Sequence, residues 1–155
     1  MERILLGTLL LIATAVGMEA LAWLIHRYLL HGPLWFVHRT HHRPQRGFWE
    51  WNDLVALFYA ALSAGLVVLG LPTLGLPFWV GLGIALYGLL YFWLHDLIIH
   101  QRIRVRYRTR WRYLQRLIRA HKIHHKQLNA RPAEAYGFLY APRRYQPSGP
   151  GAAKH

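Results

Sequence analysis

The chain contains no cysteine, which excludes a disulfide scaffold and any thiolate-ligated metal site and leaves the compartment open. Acidic residues are also scarce, six Asp and Glu against 19 Lys and Arg, and none stands three residues before a histidine. The carboxylate-bridged di-iron site of helical bundles, which needs Glu-x-x-His pairs, is therefore excluded. A disordered chain is excluded by the 54% hydrophobic content.

What the sequence does have is segregated. Residues 1–100 hold five Arg and five acids and carry no net charge, whereas residues 101–155 hold fourteen basic residues and only Glu134, so the whole +13 lies in the last third. Ile4 to Ile25 is a 22-residue apolar run broken only by Glu19, long enough to cross a bilayer. It continues directly into His26-Arg27-Tyr28, so it reads as an anchor rather than a cleaved signal peptide. Two further apolar runs flank the turn Pro72-Thr73-Leu74-Gly75-Leu76-Pro77. Three such runs exceed what a soluble core of this size can hide. The expected fold is all-α: an integral membrane helical bundle with spans at 4–25, 54–71 and 78–99, in one domain covering 1–142. Residues 143–155, rich in Pro and Gly, are expected to form a disordered tail.

Arg27, Arg39, Arg43 and Arg46 follow the first span and the Arg-rich segment follows the third, which predicts that both regions face the cytoplasm. Arg102, Arg104, Arg106, Arg108, Arg110 and Arg112 alternate with Ile103, Val105, Tyr107, Thr109 and Trp111. Directly after a span, this strip reads as contact with anionic lipid and not with nucleic acid. From Tyr113 the period becomes helical, predicting a short surface helix.

Ten of the eleven histidines form two words, each used twice in the same order. His26 and His31 make HxxxxH, and His38, His41 and His42 make HxxHH. His95 and His100 repeat the first, and His121, His124 and His125 repeat the second. His155 stands apart and reads as exposed and inert. On a helix, HxxHH brings three imidazoles toward one point, a metal-binding pattern. HxxxxH places its members about 140° apart on a straight helix of 3.6 residues per turn, so the second must enter from a helix end or a distorted turn. Gly32-Pro33 supplies an end after His31; His95 and His100 have no equivalent breaker. Imidazole alone does not choose among Zn, Cu, Fe and Ni, but ten imidazoles suit two ions with positions left open.

This order of words resembles the membrane fatty-acid hydroxylase superfamily. Within it, Gly17-Met18-Glu19, His26-Arg27-Tyr28 with His31-Gly32, His95-Asp96 with His100-Gln101-Arg102, and Gly137-Phe138-Leu139-Tyr140-Ala141-Pro142 are similar to the bacterial carotenoid (β-carotene) 3-hydroxylases, over roughly residues 15–142. The resemblance implies a non-haem monooxygenase with two Fe ions on the ten histidines, dioxygen (O2) as co-substrate and external reduced ferredoxin as electron donor. Its implied reaction is hydroxylation of β-ionone rings, from β-carotene through cryptoxanthin to zeaxanthin. The basic face would steer an acidic ferredoxin, and the spans would take the carotenoid from the lipid bilayer. The rival readings are another enzyme of the same metal site (a carotenoid ketolase, a desaturase, a sterol or fatty-acid hydroxylase) and a non-catalytic metal-binding membrane protein.

Two acids are expected to serve catalysis. Glu19 is costly inside a span and lies two turns before His26, where it would orient a ligand or hold a proton in the substrate cavity. Asp96 is placed to accept a ring N–H, not necessarily that of His95, because adjacent helical residues diverge by about 100°. For Asn52 and Asp53, helix capping and a role beside the metals are both open. Trp23, Trp35, Trp49, Trp51 and Trp93 read as interface anchors rather than cavity walls.

Overall fold

The computed structural model describes residues 1–43, 49–103, 107–130 and 133–147, and among these it is all-helical, with no strand. Helix α1 (Glu2–Leu24) runs on through a π-helical segment, Ile25–Leu30. Then come α2 (Trp35–His42), α3 (Asp53–Gly70) and α4 (Leu76–Tyr91), which continues into a second π-helical segment, Phe92–Ile99. Helix α5 (Arg112–His124) and a 3₁₀ turn, Arg143–Tyr145, follow.

Three helices, Glu2–Leu30, Asp53–Gly70 and Leu76–Ile99, are long and apolar enough to cross a membrane. Their outer faces remain apolar: Val16 is 69% exposed and Val68 71%, positions that water would penalise and lipid would not. The α3–α4 hairpin closes through the Gly75 amide on the Gly70 carbonyl (3.1 Å), and Pro77 starts α4 where a missing N–H costs nothing.

Helix α4 is the centre of the bundle. Both α1 and α3 pack along it, and they do not pack against each other. Two glycines permit the close crossings: a Cβ at Gly83 would meet the Leu11 carbonyl at 2.6 Å, and one at Gly81 the Ser63 carbonyl at 2.9 Å. Ser63 adds a buried hydrogen bond to the Gly81 carbonyl at 2.8 Å. With α1 and α3 apart, an apolar cleft opens between them, floored by α4.

Helix α5 buries Leu114, Leu117 and Ala120 against Leu94, Ile98, Ala141 and Tyr145, forming a second core beyond the spans. The expected disordered tail therefore needs correction at its start. Tyr145 is buried and its hydroxyl donates to Glu134 at 2.6 Å, so residues 143–147 are held by the same core; residues 148–155, His155 included, lie outside the described residues. Of the Arg strip, residues 104–106 also lie outside them, and residues 107–111 are non-helical. Arg102 does not join a lipid-facing strip. It turns inward onto carboxylates, where the few acids of the chain can satisfy its guanidinium.

Candidate metal centre

The π-helical segments answer the five-residue spacing. In each, an amide bonds the carbonyl five residues back: His31 to His26 and His100 to His95, both at 2.9 Å. That wider turn brings the fifth residue over the first, so both members of HxxxxH point inward, and the second word finds its distortion in Phe92–Ile99 without a Gly-Pro breaker.

The ten histidines form two groups of five: His26, His31, His38, His42 and His124, and His41, His95, His100, His121 and His125. Within each group the ligand atoms all lie within 4.8 Å of one another. The HxxHH words are split between the groups, contrary to the expectation of one common point. Residues i and i+4 differ by about 40° and share a face, whereas i+3 lies about 100° from i+4. Helices α2 and α5 therefore send the i, i+4 pair or the lone i+3 member to different sides: His38 and His42 to the first group and His41 to the second; His124 to the first, His121 and His125 to the second.

The first group is oriented almost entirely by backbone. The Nδ1–H groups of His26, His31, His42 and His124 donate to the carbonyls of Tyr136 (2.8 Å), Ala130 (2.8 Å), Gln127 (2.9 Å) and Glu134 (2.7 Å). His38 Nδ1 donates to Asn52 Oδ1 at 2.7 Å. Asn52 thus serves an imidazole and makes no side-chain cap on α3. The second group uses carboxylates. His41 Nδ1 donates to Glu50 (2.8 Å) and His95 Nδ1 to its neighbour Asp96 (2.7 Å), so Asp96 serves His95 itself. Arg102 ties these acids together, reaching Asp53 at 2.8 Å, Glu50 at 3.1 Å and Asp96 at 3.7 Å.

These outer bonds fix the tautomers and turn Nε2 lone pairs inward. His31 and His124 show the consequence most cleanly. Both hold Nδ1–H on backbone carbonyls, yet their Nε2 atoms face each other at 3.1 Å. Two lone pairs at that distance repel unless one ring is protonated or a cation lies between. Protonation is opposed: burial pushes His124 down to about 3, His38 to about 2, and His42 and His100 to about 4. Burial likewise lowers His41, His121 and His125, and neighbouring imidazoles add to the effect. Among the described residues, the buried His125 Nε2 has no hydrogen-bond partner.

Spacing supports the same conclusion. Nitrogens about 2.1 Å from one ion are about 3.0 Å apart at right angles and about 3.4 Å apart in a tetrahedron. The observed Nε2 separations are 2.9 Å for His26–His38 and His41–His95, 3.0 Å for His100–His121, and 3.1 Å for His38–His42. The donor set therefore fits metal ions of coordination number above four.

Between the groups and the spans lies a cavity of about 500 Å³. Its walls are small and apolar, with Ala56, Ala60 and Ala64 from α3 and Ala85 and Gly88 from α4, and its inner end is made by His26, His38, His95 and Phe138. The Glu19 carboxylate accepts hydrogen bonds from the amides of Phe138, Leu139 and Tyr140 and from the Tyr87 hydroxyl rather than from a histidine. Trp49 and Trp51 are exposed, in keeping with an interface position, whereas Trp35 packs on His31 and His42.

Sequence reasoning missed Glu50, Arg102 and Tyr91, whose ring stacks on His95 at 4.4 Å. Glu50 carried one signal, its rarity as an acid nine residues after His41. Arg102 was hidden among other arginines.

Two interdigitated sets of buried and half-buried histidines at the ends of membrane-length apolar helices and just beyond them could each hold a metal ion, and the chain belongs to the fatty acid hydroxylase family, whose model matches residues 11–141. Among named relatives, it is similar to the beta-carotene hydroxylase of Pantoea ananas, 45% identical over 136 residues that cover 88% of this chain and 78% of that protein. The beta-carotene hydroxylase of Pseudescherichia vulneris is 38% identical over 88% of this chain and 78% of its own length. A chloroplastic beta-carotene 3-hydroxylase of Arabidopsis thaliana is 35% identical over 89% of this chain and 46% of that protein. No solved structure gives a significant match.

Proposed function

We propose that this protein hydroxylates the β-ionone rings of carotenoids, carrying β-carotene through cryptoxanthin to zeaxanthin. The observation that carries the reading is the junction of two five-histidine groups with an apolar cavity between membrane-length helices. Names of relatives in bacteria and plants supply the substrate.

In this reading His26, His31, His38, His42 and His124 hold one iron, and His41, His95, His100, His121 and His125 the other. Bound iron supplies the redox chemistry by which dioxygen, two electrons and two protons convert a ring C–H to C–OH and water. The chain's own contribution is positioning. The outer hydrogen bonds keep the Nε2 donors of His26, His31, His38, His41, His42, His95 and His124 neutral and aimed, the Ala-rich walls exclude water, and the cleft between α1 and α3 admits a lipid-soluble chain from the side. Asp96 and Glu50 draw on the ring protons of His95 and His41 and raise their basicity as donors.

Orientation follows from charge: the basic segments after the first and third spans belong on the cytoplasmic side of a bacterial inner membrane, with the histidine groups beside them. Exposed Arg112, Arg119 and Lys122 on α5, with Lys126 just after it, favour an acidic reductant such as reduced ferredoxin, docking at a salt-dependent rate.

The test is expression in cells that accumulate β-carotene, with pigments analysed by chromatography and mass, and iron counted on purified protein. Zeaxanthin and about two irons per chain are expected. No hydroxylated carotenoid, or a product oxidised only to ketone, overturns the reaction; zinc in place of iron overturns the cofactor.

A further inference from the structure

The loop from Tyr136 to Pro142 is held by an unusual staple. Glu19 projects from α1, and its Oε1 accepts three successive backbone amides, those of Phe138 (3.0 Å), Leu139 (2.9 Å) and Tyr140 (3.1 Å). Its Oε2 accepts the Tyr87 hydroxyl from α4 at 2.9 Å. Successive amides of this kind form an anion-binding concavity, and here the anion is the chain's own intramembrane carboxylate. The fit requires glycine beside it: a Cβ at Gly137 would stand 3.0 Å from that same Oε1 and 2.7 Å from the Tyr140 carbonyl. Tyr113 adds a hydroxyl donated to the Leu139 carbonyl from α5. A carboxylate inside a span needs such partners, and these four donors account for its presence.

The staple fixes one side chain against both histidine groups. The Phe138 ring lies parallel to His26 (5.2 Å, 7°), edge-on to His95 (5.5 Å, 83°) and Tyr91 (4.8 Å, 76°), and 6.1 Å from His121. It also lines the inner end of the apolar cavity. A ring-capped substrate entering between α1 and α3 meets this face before it can go further. Oxidation falls on whichever C–H is held at the metals, and a misplacement of about 1 Å is enough to cost about a hundredfold in rate.

We propose that Phe138 determines specificity by acting as the stop on which the substrate's terminal ring comes to rest, and that Glu19 is the positioning residue that holds this stop. The proposal rests on the ring-hydroxylase reading for the nature of the ligand; the staple itself does not.

The test compares wild type with Phe138→Leu, Phe138→Ala, Glu19→Gln and Glu19→Ala in cells supplying β-carotene. The position of each hydroxyl group is determined, iron per chain is counted, and amide hydrogen exchange is followed over 138–140 in purified protein. Phe138→Ala is expected to raise the ratio of ring positions other than the wild-type one at least tenfold at unchanged iron content, with Phe138→Leu intermediate. Glu19→Ala is expected to speed exchange at the three amides at least tenfold and to reproduce the same product shift. Glu19→Gln keeps an amide oxygen for the backbone donors and is expected to restore both. Wild-type regiochemistry in active Phe138→Ala and Phe138→Leu overturns the stop. Unchanged exchange in Glu19→Ala, or loss of iron in that variant, overturns the staple. A wild-type protein that hydroxylates no carotenoid overturns the functional reading, and the exchange data then decide the staple separately.

Discussion

The Nδ1–H of His26, at the end of the first long helix, is donated to the backbone carbonyl of Tyr136, 110 residues later, at 2.8 Å. Three more imidazoles of the same group lean on carbonyls of residues 127–134. A segment with no metal-ligating motif of its own is thus the scaffold of one histidine group. Ala135, between the Glu134 and Tyr136 carbonyls, sits at φ 60°, a left-handed conformation at the point where both of these carbonyls meet the same imidazole cluster.

Ala135 should therefore tolerate only glycine well. Ala135→Val is expected to destabilise the protein by about 1–3 kcal/mol, because a β-branched residue is strained at positive φ, while Ala135→Gly should be neutral within that scale. Thermal unfolding of purified protein in detergent checks the order; equal midpoints for the two variants would contradict it.

The two groups should fail independently. His124→Ala is expected to lower bound metal from about two to about one per chain by emptying the first group, and His41→Ala to do the same through the second, each abolishing hydroxylation while the protein still inserts. Elemental analysis beside membrane fractionation reads both. Retained hydroxylation in either variant would remove that residue from the ligand set.

The outer partners should matter less than the ligands but measurably. Asn52→Leu leaves His38 Nδ1 without its acceptor, and a loss of about 10–100-fold in metal affinity is expected. Glu50→Gln should act on the second group alone. Competition with a chelator of graded strength measures each, and an unchanged affinity in both variants would deny the orienting role.

Arg102 joins three acids with its side chain only 13% exposed. Removing it in Arg102→Met leaves the charges of Asp53, Glu50 and Asp96 together with no cation, at an expected cost of about 3–5 kcal/mol. A lower unfolding midpoint that added salt does not restore is the signature, since salt screens buried charges poorly.

Stripping the metal should make stability sensitive to mild acid. In the metal-free protein, burial holds His42 at about 4 and His124 at about 3, below the ordinary 6.5. The unfolded chain then binds more protons below 6.5, so stability is fully present above that pH and declines as pH falls toward 4 and 3. Unfolding midpoints of chelated protein between pH 8 and 5 should be flat at first and then fall; a rise on acidification would contradict the burial.

Much of this was legible in the chain itself. Apolar runs of bilayer length appear in a chain that spans a membrane with helices, because the requirement is one of length and hydropathy, and three helices among the described residues are long and apolar enough to cross. The histidine words were equally plain, because no generic residue can replace an imidazole lone pair. Partners were not legible. Backbone carbonyls at Gln127, Ala130, Glu134 and Tyr136 carry no side-chain signal, and Arg102 looks like any other arginine until the chain folds it onto Asp53.

The sequence by itself determined which side chains are candidates to hold metal and that they stand at the ends of the apolar runs and beyond them. Only the tertiary structure decided how they are shared. The π-helical turns bring His31 and His100 inward, while α2 and α5 divide their own histidines between two groups according to helical angle. It also decided that Glu19 holds a loop and not a ligand, because a carboxylate in a low-dielectric span goes to whichever donors the fold delivers, and here those are the amides that set Phe138.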